Sequence, residues 1–323
     1  MSRKPWLNAA EQVEQLKEKG VRFNVFSESE AIEYLTKNSN YFRIRSYRTG
    51  FAKVPSGERQ GEYANLDFAM LVDLSIVDML LRYVMLPLTL DVEHFSKVRL
   101  LQQIENHGED GYGVVTDFIA SYDCLTLQGT IANSIKKEID KGKSSPYASG
   151  ILDKYPNYDF PVWAFIEVIS FGTFCYFYKF CARRFNDKDM IRTFYMLQSV
   201  KGLRNACAHN NCIINDMKAG IPKYQVSNEV SQALGAIKGI GARQRQSKMN
   251  NDRFQQIVTT LYLNRMLASE GVLEHRSKSL AEFIERMNKH LDYYNGNTEV
   301  LSGFGFLTKV IEAWFPTKSE SGC

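Results

Sequence analysis

The chain reads as a mostly α-helical protein with a small mixed segment near its N-terminus. Three observations lead there. Apolar residues recur at three- and four-residue steps, most clearly at Leu66, Met70, Leu74, Val77, Leu81 and Val84. Helix-start signals stand where such stretches begin: Ser27 with Glu30 three residues on, and Pro161 ahead of an apolar run. Glycine and proline punctuate the chain at helix-length intervals, and no internal repeat is visible.

Taken in order, residues 9–20 form a short helix with Val13 and Leu16 inward and Gly20 as its stop. The second helix follows Ser27 and carries Ala31, Ile32 and Leu35. Asn40 to Arg48 is dense in aromatics and arginines, and Gly50 through Gly61 reads as a loop or hairpin. The helix from Leu66 to Leu90 breaks or kinks at Pro87, with another helix at 92–106. Gly108 to Gly113 is loop, 114–140 holds further helix, and Lys141 to Pro146 is a flexible link. Pro161 opens one long helix through Trp163, Phe165, Ile166, Ile169, Phe174, Phe177 and Tyr178. Asp187 to Val200 comes next, and 205–238 mixes loop and turn signals. Amphipathic helices at 251–268 and 277–293 close the ordered pattern, and the tail after about residue 295 carries little signal. The expected division is 1–60, 61–295 and a tail at 296–323.

Composition narrows the function classes. Hydrophobic content of 44% and charged content of 24% fit a globular protein. No apolar run reaches the roughly 18 residues of a membrane span, and Met1 to Trp6 lacks the apolar core of a secretory signal, so the cytoplasm is the expected compartment and no membrane partner is expected. The six cysteines, at 124, 175, 181, 207, 212 and 323, make no C-x2-C pair. Cys207 and Cys212 flank His209, but a Cys-x-His-x-x-Cys set lacks a fourth zinc ligand, so reduced core thiols and no metal or cofactor are expected. A net charge of +4 permits a nucleic-acid partner without demanding one. The positive charge clusters at Arg43, Arg45, Arg48 and Lys53, and again at Arg243, Arg245 and Lys248.

One six-residue stretch carries chemistry: Arg204-Asn205-Ala206-Cys207-Ala208-His209, an R-N-x3-H pattern. With five histidines in the chain, an R-x4-H match arises by chance roughly 0.3 times, so the spacing alone is weak. Its residue types suit metal-free RNA cleavage. That reaction needs a base for the 2′-hydroxyl, an acid for the leaving 5′-oxygen and a cation for the developing phosphorane charge. Histidine exchanges protons near neutrality, and the planar fork of arginine gives a phosphate two hydrogen bonds. On a helix Asn205 and His209 share a face, whereas Arg204 and His209 diverge by about 140°. The plain alternative is a helix end at which Arg204 and His209 only cap carbonyls.

The surrounding segments resemble one family together. Lys4-Pro5, Gln12 to Gly20, Asn40 to Tyr47, Asp78-Met79-Leu80-Leu81-Arg82, Pro161 to Thr173, and Arg204 to His209 followed by Asn215 occur in the order seen in Abi-like abortive infection proteins of the AbiD/AbiF type. These are bacterial phage-defence proteins with a HEPN ribonuclease domain. The resemblance covers most of residues 4–290 and implies a HEPN-type helical bundle with an endoribonuclease site at Arg204, Asn205 and His209. It further implies a homodimer that pools two motifs, a toxin role, and restraint by an inhibitory small RNA or antitoxin. Where the family often has a basic residue and an aromatic after the histidine, this chain has Cys212 and Ile214.

Further residues carry two readings each. Glu167, on an apolar stripe, either pairs with Arg204 or orients His209, or sits at the stripe's edge in solvent. Tyr41, Arg43, Arg45, Tyr47 and Arg48 either stack on bases and hold phosphates of single-stranded RNA, or the aromatics are core and the arginines surface pairs. Arg82 reads as a structural salt bridge, and His94, His107, His275 and His290 as solvated histidines. The competing functional classes are a non-cleaving RNA-binding protein and a helical interaction scaffold.

Overall fold

The computed structural model describes residues 5–126, 135–220, 222–223 and 225–317. The described residues form a mostly α protein with fifteen α-helices and a single two-stranded ladder. They divide into two compact units. The first comprises residues up to Leu88, Leu203–Arg265 and everything from Ser269; the second comprises Thr89–Gly202 and Met266–Ala268.

In the first unit, α1 (Ala9–Lys17) begins with a capping box: the Asn8 side chain accepts from the Glu11 amide, and Glu11 accepts from the Asn8 amide. Val13 and Leu16 are its buried positions. The helix stops before Gly20, whose φ of 80° and crowded surroundings require glycine: an added Cβ would lie 2.8 Å from Glu62 Cβ. Strand β1 (Val21–Arg22) pairs in parallel with β2 (Leu66–Asp67). Helix α2 (Glu28–Lys37) starts with the expected box between Ser27 and Glu30. The aromatic and arginine-rich segment is helical too, as α3 (Tyr41–Ser46) capped by Asn40, followed by a 3-10 turn at Tyr47–Gly50. The segment from Gly50 to Gly61, read as a loop or hairpin, is a loop closed by one isolated antiparallel bridge between Lys53 and Tyr63.

Helix α4 (Phe68–Asn106) follows β2 directly. It is one element of 39 residues and runs through Pro87, where the sequence pattern predicted a break or kink and a second helix from 92. Proline removes one helical hydrogen bond, at a cost near 3 kcal/mol. Burial on both sides offsets that loss: Leu81, Met85, Leu88 and Val92 are fully buried at helical spacing. The rest of the first unit is α11 (Asn228–Gly235), α12 (Ala242–Met249), most of α13 (Asp252–Leu267), α14 (Glu270–Asn288) and α15 (Thr298–Trp314). The stretch after 205 thus contains a helix where loop was expected. The tail is likewise structural: α15 buries Val300, Phe304, Phe306, Leu307, Val310, Ile311 and Trp314.

The second unit holds α5 (Gly113–Thr126), α6 (Ile135–Lys141), α7 (Ser149–Lys154), α8 (Val162–Val168), α9 (Phe171–Arg184) and α10 (Lys188–Ala208) as far as Gly202. Part of the helix expected at 114–140 lies outside the described residues. The predicted flexible link at 141–146 is instead a 3-10 turn at Gly142–Ser144. Pro161 does precede a helix, but the predicted long helix is two. Ile169 is extended, and Ser170 caps α9 by accepting from the Thr173 amide at 3.3 Å. Glu138 fixes the break, accepting from the Ser170 amide and the Thr173 hydroxyl, each at 2.6 Å. No helix of the described residues is long and apolar enough to cross a membrane.

Candidate functional site

Helix α10 ends at the R-N-x3-H motif. The His209 amide still bonds the Asn205 carbonyl at 2.9 Å, so Asn205 and His209 stand one turn apart. Asn210 then adopts the left-handed conformation, with φ 57°. The Asn211 amide reaches back to the Ala206 carbonyl at 2.8 Å, and the Asn210 amide to Cys207 at 3.1 Å. This is a Schellman termination with asparagine, the commonest substitute for glycine, at the left-handed position. It places His209 at the C-cap, the residue that follows α10. His209 and Asn205 are exposed and Arg204 is half-buried.

Arg204 Nη1 donates to Asn205 Oδ1 at 3.3 Å, which links the guanidinium to the residue one turn before His209. Asn205 thereby acts as a tether for the arginine.

The turn after His209 is held from two sides. On one side is a buried ion pair of α4, Asp78 with Arg82, exposed 0% and 3%. Asp78 Oδ1 accepts from the amides of Ile213 at 2.7 Å and Ile214 at 2.8 Å, while Arg82 Nη1 donates to the Asn211 carbonyl at 3.3 Å. On the other side is α3 with the turn that follows it. Arg43 donates to the Asn210 carbonyl, the residue next to His209. The Tyr47 hydroxyl donates to Cys212 Sγ at 3.3 Å. Burial first, and the Cys212 bond second, push the Tyr47 phenol up, so it remains a donor. Arg82 is pushed down by burial and then by the nearby Arg43 charge, which shows two cations gathered at one turn. Cys207 is pushed up to about 12, chiefly by burial, with the Arg82 charge opposing; its thiol is protonated near neutrality and offers no competing nucleophile.

The Abi-like protein family profile matches residues 33–215, from α2 to just past this turn and over half of the chain. The chain belongs to the Abi-like protein family. No curated protein and no solved structure matches it. The matched stretch of this Abi-like protein includes Asn40 to Arg48, Asp78 to Arg82, Glu167 and the R-N-x3-H motif, while Lys4-Pro5, Gln12 to Gly20 and the Arg243–Lys248 group lie outside it.

Several sequence expectations need correction. Tyr47 and Arg48 are buried, with 2% and 7% exposure, and present no face to an RNA strand. Arg48 lies over the Tyr63 ring at 5.8 Å, and its Nε donates to the Arg45 carbonyl at 3.1 Å. Tyr41 and Arg45 are half-buried and pack on each other at 5.7 Å, with the Tyr41 hydroxyl on Gln15. Arg43 keeps partial exposure but supports the motif turn. The exposed aromatic of α3 is Phe42, at 78%.

Glu167 is exposed and pairs with Lys97 at 3.6 Å, the solvent-edge alternative, while Arg204 takes Asn205 as its partner. Lys248 is buried against Phe254 instead of forming part of a basic surface. Arg82 is a structural ion pair, as expected. His94, His107 and His275 are exposed, and His290 stacks on Tyr293 at 4.8 Å. Asp78 was missed as a supporting residue. Its signal was present: aspartate and arginine four apart inside an otherwise apolar helix must pair if both are buried.

Proposed function

We propose that this Abi-like protein is a HEPN-type endoribonuclease of phage defence, cleaving RNA by acid–base transesterification at Arg204, Asn205 and His209. The observation that carries the reading is the exposed His209 at a helix end, one turn from an Asn205 that is hydrogen-bonded to the Arg204 guanidinium. An accessible imidazole moves the proton, and a guanidinium with free donors takes the phosphate. The buried Asp78–Arg82 pair and Arg43 spend three strong groups on fixing the backbone beside His209, an arrangement suited to a positioned proton-transfer group. Family membership supports the abortive infection role.

In the reaction, His209 takes the 2′-hydroxyl proton or protonates the leaving 5′-oxygen. The 2′-oxygen attacks phosphorus, the P–O5′ bond breaks, and a 2′,3′-cyclic phosphate and a 5′-hydroxyl result. One motif supplies one imidazole, so we assign the second proton transfer to His209 of a second copy in a homodimer. A toxin of this kind calls for an inhibitory RNA or antitoxin partner.

The test is incubation of the purified protein with single-stranded RNA in EDTA, followed by analysis of the product ends. Cyclic phosphate ends are expected, with no cleavage where the 2′-hydroxyl is replaced by hydrogen. Cleavage of the 2′-deoxy substrate would overturn the mechanism. RNA binding with no cutting would favour a non-cleaving RNA-binding protein.

A further inference from the structure

The second unit carries an aromatic and basic strip that the motif does not use. Tyr176 and Tyr195 are 45% and 50% exposed, on α9 and α10. They flank the buried Phe194 ring, with centroids 6.2 and 5.1 Å from it. Lys179 Nζ lies 4.7 Å from the Phe194 centroid, and Lys201 Nζ lies 5.9 Å from that of Tyr176. Gly172, Tyr176, Lys179 and Arg183 recur at four-, three- and four-residue steps and so share one face of α9. Among the described residues, no carboxylate pairs with Lys179, Arg183 or Lys201. Lys179 is pushed down by burial and then by the Arg183 charge, as expected for two cations held together without an acid between them.

Solvated lysines normally stand apart or pair with acids. Here Lys201 lies over the exposed Tyr176 ring, Lys179 lies over the buried Phe194 ring that both tyrosines contact, and Arg183 shares the Lys179 face of α9, a combination that suits a polyanion with stackable bases. We infer that the Tyr176, Lys179, Arg183, Tyr195 and Lys201 face of α9 and α10 binds single-stranded RNA, with bases on the two tyrosines and phosphates on the three cations. This rests on the reading of the protein as RNA-directed and adds a binding surface separate from the residues of the R-N-x3-H motif. An apolar protein surface fits less well, because a buried interface would strand three positive charges.

The test uses the full chain and a fluorescein-labelled single-stranded RNA with 2′-O-methyl groups, which is bound but not cut. Tyr176→Ala with Tyr195→Ala should weaken binding by roughly tenfold or more. Lys179→Gln, Arg183→Gln and Lys201→Gln together should lower the steepness of log affinity against log salt by about 2, near 0.7 for each lost phosphate contact. Since these side chains lie at the surface, unchanged thermal melting would show that the variants fold. Unaltered affinity and salt slope in both variants, with the parent binding well, would overturn the inference and leave the proposed activity standing. Loss of self-association in the variants with RNA affinity intact would also overturn it, assigning the face to a second copy. A parent chain that neither binds nor cuts RNA would overturn this inference and the proposed function together.

Discussion

Replacing Asp78 with alanine should destabilise the protein by about 3–5 kcal/mol, the usual cost of stranding one member of a buried ion pair. The residue is fully buried and holds three partners: Arg82 and the amides of Ile213 and Ile214. Its loss leaves a guanidinium charge and two backbone donors without their acceptor in the interior. Arg82→Met should cost a similar amount, because it strands the carboxylate. The double variant should cost less than the two singles added, since the second change removes the stranded charge. Urea unfolding of the three variants gives the cycle. Single-variant losses under about 1 kcal/mol would mean that the pair is not the clamp described.

The second large effect concerns the end of the chain. A stop after Asn295 should abolish cooperative folding of the first unit. It removes the buried Val300, Phe304, Phe306, Leu307, Val310, Ile311, Trp314 and Phe315. At about 1.5–3 kcal/mol for each buried large side chain, the loss is roughly 12–24 kcal/mol. Whole domains are typically stable by about 5–15 kcal/mol. The rings left behind would lose partners: Phe254 stacks edge-on against Phe306 at 5.9 Å, Tyr262 against Trp314 at 6.0 Å, and Tyr294 against Phe304 at 5.8 Å. Near-ultraviolet circular dichroism and dye binding should report lost packing with exposed apolar surface. A truncated chain with a sharp transition at the full-length midpoint would contradict this.

The helical class was legible because its signals are local. The Ser27–Glu30 box, the stop at Gly20 and the apolar stripe of α4 are each set by neighbours within a turn or two, and all are realised. Departures arise where distant residues decide. Pro87 stays inside a helix because burial on both sides outweighs its lost bond. The α8–α9 break depends on Glu138, more than thirty residues earlier. The α15 pattern was legible and went unread: Val300, Phe304, Leu307, Val310, Ile311 and Trp314 recur at helical steps and are all buried.

At the candidate site the motif itself was readable, while its support was not. Arginine-rich sequence suggests phosphate contact, yet Arg48 is enclosed beside Tyr63 and Arg43 serves a carbonyl. Nothing in residue type distinguishes a cation that meets a ligand from one that meets its own backbone. The role of Asn205 as the hydrogen-bond partner of Arg204 follows only from the side-chain contact between them.

The central claim is that the Arg204–His209 motif cleaves RNA, and the most direct measurement is single-turnover cleavage of labelled single-stranded RNA in EDTA by the wild type, His209→Ala and Arg204→Ala. The proposed mechanism predicts that the wild type cuts and that His209→Ala falls by about 10²–10⁴, the share of a general acid or base, with circular dichroism unchanged for this exposed residue. Equal cutting by wild type and His209→Ala would contradict it, placing the chemistry elsewhere.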